Sequence, residues 1–280
     1  MISRVETFTR AGLTFDVRDG GPPGGTPVIL LHGFPETSTS WEGVVPGLHD
    51  HGFRTLAPDQ RGYSPRARPT GRRAYVMAEL VADVLALADA AGADRFHLVG
   101  HDWGGAIAWY VAAQHPDRLL SLTSLSTPHP AAMQSAMLRS AQGLKSYYML
   151  AFQLPGIPER ALLARDGKAF RRSLEKSGLH DRAIDDYLEI LRQPGALTAA
   201  LNYYRAIPLG GRKAARCGNS VVPTLYVWST EDIALGRRAA ELTARHVTGP
   251  YRFEILEGVS HWIPEEEPAE VVRLLLEHFG

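Results

Sequence analysis

Two hydrophobic rhythms run along this chain. Near the start, the runs VETFTR and LTFDVR alternate apolar and polar side chains and are separated by Ala11-Gly12, which predicts an antiparallel hairpin. After the breaker stretch GGPPGGTP the pattern changes. VILLHG, FRTLAPD and RFHLVGH are short, continuously apolar runs, as expected of strands covered on both faces. Between the last two, YVMAELVADVLALADAAG places apolar residues at helical spacing and stops at Gly92. The segment LVGHDWGGAIAWYV then reads as a strand, a sharp turn and a helix of small residues able to lie close to a sheet, which ends before Pro116. RLLSLTSLS is a further strand. This alternation predicts an α/β fold with a mostly parallel central sheet and helices on both faces.

From about residue 129 to 217 the alternation stops. Helical segments, clusters of Tyr and Met, and LPGIPER occur there without a convincing buried strand. The sheet pattern resumes with PTLYVWS, a helix near residues 236 to 246, YRFEILEG and a last helix at the C-terminus. The organisation predicted is a sheet domain in two parts, residues 1–128 and 218–280, interrupted by a helical insertion over 129–217. No internal repeat or low-complexity segment is present.

Composition narrows the function classes. Apolar residues make up 45% of 280, enough for a large core. Lys plus Arg and Asp plus Glu both number 30, so the balanced charge argues against a nucleic-acid partner. Arg66, Arg68, Arg72 and Arg73 form one basic cluster, in a Pro/Gly-rich stretch that reads as a solvated loop. The single cysteine, Cys217, excludes an internal disulfide framework and fits a reducing compartment. MISRVETFTRAG lacks the apolar core of a signal peptide, and no segment is apolar for the length of a membrane span. A cytoplasmic protein with no membrane partner is expected.

The candidate chemistry starts at the turn GHDWG, which fits the frame G-x-S-x-G except that Asp102 takes the serine position. A side chain on such an elbow is held out of the sheet at the N-terminus of the next helix, where free N–H groups and the helix dipole favour an anion. Asp is also a favoured plain N-cap. Gly100, Gly104 and Gly105 favour the elbow, because a simple cap does not require small residues on both sides. Further along, Glu231 and Asp232 follow a late strand, and His261 lies in the loop before the terminal helix.

LHGFPE, DQRGYS, GHDWGG, LSTPHP, FQLPGIPE, LNYYR and SHW, in this order and spacing, resemble the motifs of epoxide hydrolases of the α/β-hydrolase fold superfamily, over nearly the whole chain. The resemblance implies that fold, with the insertion as a helical cap. It implies a triad in the order nucleophile, acid, histidine: Asp102, Asp232 and His261, with Glu231 as the neighbouring alternative acid. The backbone N–H groups of Phe34 and Trp103 are implied as the oxyanion hole, with a cis bond before Pro35. Tyr148 and Tyr204 fall on the family's two tyrosines, with Tyr147 and Tyr203 beside them should the register slip by one. Phe34, Pro35, Trp103, Tyr148, Tyr204 and Trp262 are the expected substrate-binding residues. Met133, Met137, Met149, Phe152 and Trp228 are further candidates for an apolar pocket, or for core.

An aspartate at residue 102 makes chemical sense. Serine attack on an sp3 carbon would leave an ether that water cannot readily cleave. A carboxylate makes an ester, which can be hydrolysed at its own carbonyl. The expected substrate is a small apolar epoxide, opened to a vicinal diol without metal or organic cofactor. Two other readings stay open. A haloalkane dehalogenase shares the aspartate, although Phe34 offers no side-chain donor for a halide. A non-catalytic small-molecule binding protein could use the same fold.

Overall fold

The computed structural model describes residues 3–140, 142, 148–210 and 217–280. The opening hairpin pairs β1 (Thr7–Arg10) with β2 (Leu13–Gly20). Ala11 and Gly12 both take positive φ, the backbone that matches a two-residue turn to the twist of its strands. The central strands are β3 (Thr26–Leu31), β4 (Phe53–Pro58), β5 (Phe96–His101), β6 (Leu119–Leu125), β7 (Thr224–Ser229) and β8 (Tyr251–Leu256). They form one sheet in the order β1-β2-β4-β3-β5-β6-β7-β8. Pairing is antiparallel for β1–β2 and β2–β4 and parallel from β4 to β8.

Strand burial explains the continuous apolar runs. In β3, Ile29 and Leu31 face one core while Val28 and Leu30 face the other, and all four are buried. At roughly 1.5–3 kcal/mol per fully buried aliphatic side chain, this two-sided burial favours strand placement at the sheet centre. One face is covered by α2 (Met77–Ala90) and α3 (Trp103–Gln114), the other by α1 (Val45–Asp50) and the C-terminal helix (Pro268–Phe279). Helix α1 and the 3-10 turn at Ser38–Trp41 carry no strong period in the sequence, and both are short.

Between β6 and β7 the described residues are helical: α4 (Pro130–Arg139), α5 (Tyr148–Ala151), α6 (Ile157–Lys176), α7 (Asp181–Leu191) and α8 (Ala196–Ala206). Helix α6 is broken where Ala164 is extended and residues 165 to 167 take positive φ. After β7 come α9 (Arg237–Leu242), α10 (Ile263–Glu266) and the terminal helix, α11. Of the basic cluster, Arg66, Arg72 and Arg73 are exposed, whereas Arg68 turns inward onto the carbonyls of Gly62 and Tyr63. Among the described residues no helix is long and apolar enough to cross a membrane.

Candidate active site

The functional candidates stand beyond the C-terminal ends of the parallel strands: Phe34 after β3, Asp102 after β5, Asp232 after β7 and His261 after β8. That is the edge where open α/β sheets place their sites. At the β5–α3 elbow Asp102 takes φ 48° and ψ −116°, a costly backbone for a residue with a Cβ. The elbow is possible because its neighbours lack side chains. A Cβ on Gly100 would come within 2.3 Å of the Gly104 carbonyl oxygen, and one on Gly104 within 2.1 Å of that of Leu31. The Asp102 carbonyl accepts from Ala106 N–H at 3.0 Å and from Thr127 Oγ1 at 2.7 Å, which pins the turn. No side-chain capping bond forms, so Asp102 is not a plain N-cap.

Its carboxylate points toward the β3 loop, where Oδ1 accepts from the Phe34 N–H at 2.8 Å. That loop carries a cis Phe34–Pro35 bond. Three contacts hold it. His32 Nδ1 donates to the Gly33 carbonyl at 2.9 Å, His32 Nε2 accepts from Gln60 N–H at 3.1 Å, and Gly33 N–H donates to Glu36 Oε2 at 2.5 Å. Trp103, the first residue of α3, offers one of the N–H groups that a helix start leaves without an intrahelical partner.

His261 and Asp232 come together as a pair. His261 Nδ1 donates to Asp232 Oδ2 at 2.8 Å, while Asp232 Oδ1 accepts from the backbone of Ala234 and Leu235 at 2.7 and 2.8 Å. The other ring nitrogen, Nε2, faces Asp102 Oδ2 at 3.7 Å, too long for a direct hydrogen bond. The His261 carbonyl is fixed by donors from His101 Nε2 at 2.8 Å and Ser126 Oγ at 2.9 Å. Glu231 is exposed, and the carboxylate bonded to the imidazole is that of Asp232.

Electrostatics follow from this geometry. Burial opposes ionisation of Asp102, but the His261 ring, the nearby His101 ring and the Phe34 N–H outweigh it and hold the carboxyl below its ordinary range. Burial likewise opposes the His261 imidazolium, yet the two carboxylates raise its proton affinity well above that of free imidazole.

A cavity of about 350 Å³ opens beside Asp102 and Trp103, with Tyr148 and Tyr204 in its wall. The rings of Tyr148 and Tyr204 lie 6.0 Å apart at 77°, and Tyr204 packs edge-on to Trp103 at 5.0 Å. Burial, with the nearby Asp102 charge, pushes both phenols above their usual range, so both stay protonated. Tyr203 also touches the cavity, but its hydroxyl donates to the Arg61 carbonyl at 2.8 Å. Tyr147 lies outside the described residues.

Not every pocket candidate is in the wall. Met133, Met137 and Met149 line the cavity, whereas Phe152, Trp228 and Trp262 do not. Trp262 is buried behind His261 and spends its indole N–H on Ser177 Oγ at 3.0 Å; the Trp228 indole donates to the Leu235 carbonyl at 2.9 Å. Phe34 and Pro35 are also absent from the wall. The Phe34 ring packs instead on Phe152, Phe170 and Tyr204. Residue type alone did not reveal Ser126 and Thr127, which brace His261 and Asp102, although the motif LSTPHP contains them. Nor did it reveal Glu36, whose Oε1 lies 2.7 Å from His101 Nδ1 in full burial. Among the described residues no group of three or more His, Cys, Asp or Glu side chains could hold a metal ion.

Residues 26–268 match the family model described as alpha/beta hydrolase fold. The chain belongs to that family. Within the alpha/beta hydrolases it is 38% identical to the AB hydrolase superfamily protein YfhM of Bacillus subtilis, over 95% of this chain and 94% of that protein. It is 33% identical to Epoxide hydrolase A of Mycobacterium tuberculosis, with 95% and 94% covered. Among solved structures, one described as novel epoxide hydrolases of the alpha/beta hydrolases superfamily in metagenomes from hot environments superimposes with a TM-score of 0.86. It shares 30% identity, with 100% of this chain and 99% of that chain covered. The resemblance read from the motifs is thus matched by relatives bearing the epoxide hydrolase name.

Proposed function

We propose that this alpha/beta hydrolase opens apolar epoxides to vicinal diols through an ester on Asp102. The observation that carries the reading is the placement of the Asp102 carboxylate, held at a strained elbow between the Phe34 N–H and His261, on a cavity whose wall carries Tyr148 and Tyr204. Relatives named epoxide hydrolase support the substrate class.

In the first step an Asp102 oxygen attacks one oxirane carbon and the C–O bond breaks. Tyr148 and Tyr204 donate hydrogen bonds to the leaving oxygen, and one of them passes it a proton, giving a hydroxyalkyl ester. In the second step His261, oriented by Asp232, takes a proton from water, and the hydroxide attacks the ester carbonyl. The oxyanion rests on the N–H groups of Phe34 and Trp103, the tetrahedral species collapses to Asp102 carboxylate and diol, and the proton held by His261 returns to the phenolate left by the first step. Esterification also prepares the base. It removes the negative charge 3.7 Å from Nε2, which lowers the proton affinity of His261 when a neutral imidazole is needed. The helices between β6 and β7 act as the cap that supplies both phenols and the apolar wall.

A single turnover in oxygen-18 water tests the ester. The expected diol carries an enzyme-derived oxygen in that first turnover, with label entering Asp102. Full incorporation of solvent label into the first diol means direct attack by water and rejects the scheme.

A further inference from the structure

Beyond β7 the chain runs from Asp232 to Gly236 without regular structure before α9 begins. Side chains satisfy its backbone groups instead. The N–H groups of Ala234 and Leu235 go to Asp232 Oδ1, and the Leu235 carbonyl accepts from the Trp228 indole. The two groups that flank Leu235 both go to Gln142. Its Nε2 donates to the Ala234 carbonyl at 2.8 Å, and its Oε1 accepts from the Gly236 N–H at 2.8 Å. A carbonyl only accepts and a backbone N–H only donates, so these partners also fix which way the amide points.

Gln142 is 3% exposed and comes from the insertion, 92 residues before Ala234. Its own N–H donates to Ser140 Oγ at 3.2 Å, and that hydroxyl donates to the Ala136 carbonyl at 2.8 Å, which ties the amide to the end of α4. The approach is close. Gly236 has φ −92° and ψ 153°, a backbone open to any residue, yet a Cβ there would stand 3.1 Å from Gln142 Oε1. The clamped stretch has two duties, because it carries the N–H donors of Asp232 and, at Leu235, part of the cavity wall. Those donors hold Oδ1 while Oδ2 meets His261 Nδ1 at 2.8 Å. A shift of Ala234 and Leu235 therefore turns the carboxylate and moves Oδ2 off the imidazole.

We propose that Gln142 is a positioning residue for the second half of the reaction: by clamping the backbone on both sides of Leu235 it holds Asp232 in the place from which it orients His261. The inference rests on the reading of Asp102 as the carrier of an ester that His261 and Asp232 hydrolyse. In that scheme alkylation uses Asp102 and the two phenols, whereas ester hydrolysis needs the His261–Asp232 pair. Loosening the clamp slows the second step and spares the first. A general loss of packing around the site would not separate them.

Wild type, Gln142→Met, Gly236→Ala and His261→Gln are each mixed in excess with styrene oxide, quenched rapidly, and followed by mass spectrometry of the protein. Methionine matches glutamine in length and removes both bonds. Gln142→Met is expected to form the Asp102 ester within about two-fold of the wild-type rate but to lose it roughly 10- to 100-fold more slowly, so that alkylated protein accumulates. Gly236→Ala should show a milder slowing of the same step. In a Gln142→Ala background it should cost nothing further, since the oxygen its methyl group presses on is gone. Should Gln142→Met fail to fold, Gly236→Ala alone decides by the same split. Equal slowing of both steps, or ester hydrolysis at the wild-type rate, would overturn the assignment. An ester trapped on His261→Gln, with no slowing in the Gln142 or Gly236 variants, sinks the role of Gln142 and leaves the Asp102 scheme standing. No ester on any variant sinks that scheme and the inference with it.

Discussion

At the scale of single residues, His261 faces Asp232 at 2.8 Å and Asp102 at 3.7 Å, so its proton affinity depends on both carboxylates staying charged. With both present its pKa stands well above the ordinary imidazole value, and on the proposed scheme loss of the Asp102 charge on esterification lowers it. The base works only when neutral. Ester hydrolysis should therefore speed up as pH rises through the imidazole range, while alkylation by the already ionised Asp102 stays level across it. Rapid-quench mass spectrometry should find more alkylated protein at ~pH 5 than at ~pH 8. His261→Gln should hold the protein in that alkylated form at all pH values, with ester hydrolysis slowed by roughly 10²–10⁴. These residues were legible because motif and chain order identify them. Their supports were not. Nothing in residue type says that Ser126 Oγ and His101 Nε2 both donate to one carbonyl, since that contact joins positions far apart in the chain.

At the scale of elements, the elbow and the helices after β6 divide the work. The elbow was readable, because glycines around an acidic residue between an apolar run and a small-residue helix leave few other conformations. Its tolerance is low. Gly104→Ala puts a methyl group 2.1 Å from the Leu31 carbonyl oxygen, so α3 must shift away from β3. We expect a stability loss of about 1–3 kcal/mol by denaturant unfolding and a larger proportional loss of activity, since Asp102 moves with the helix. The phenols sit on α5 and α8, whose orientation no periodicity predicts. Tyr203 and Tyr204 are adjacent and both buried, and only the structure shows Tyr203 already bonded to Arg61. Tyr148→Phe should lower kcat for an epoxide by roughly 10-fold. Adding Tyr204→Phe should bring the loss to about 10²–10⁴, because both phenols proposed to hold the leaving oxygen are then gone. Unchanged turnover in the double variant would put the oxygen-binding donors elsewhere.

At the scale of the whole molecule, the parallel sheet was readable from its continuously apolar runs, but the strand order was not. Local pattern cannot tell that β4 lies between β2 and β3. Long-range ties also escape it. Asp83 on α2 accepts from Arg61 Nη2 at 2.6 Å and Arg10 Nη1 at 2.8 Å, while Tyr203 on α8 donates to the Arg61 carbonyl. One carboxylate thus joins the hairpin, the sheet face and the helices after β6. Asp83→Ala leaves two guanidinium groups without it, and Arg61 is buried. A loss of about 3–5 kcal/mol follows, read as a fall in Tm of ~10 °C in thermal melts.

The β6–β7 pairing closes over roughly a hundred intervening residues, which makes it a late contact in assembly. The attacking carboxylate is synthesised ahead of that stretch, and both partners of the hydrolytic step come behind it. On the proposed chemistry, a polypeptide released early would hold a group that electrophiles can consume and none that can regenerate it. Only the finished chain converts a single-use scavenger into a catalyst.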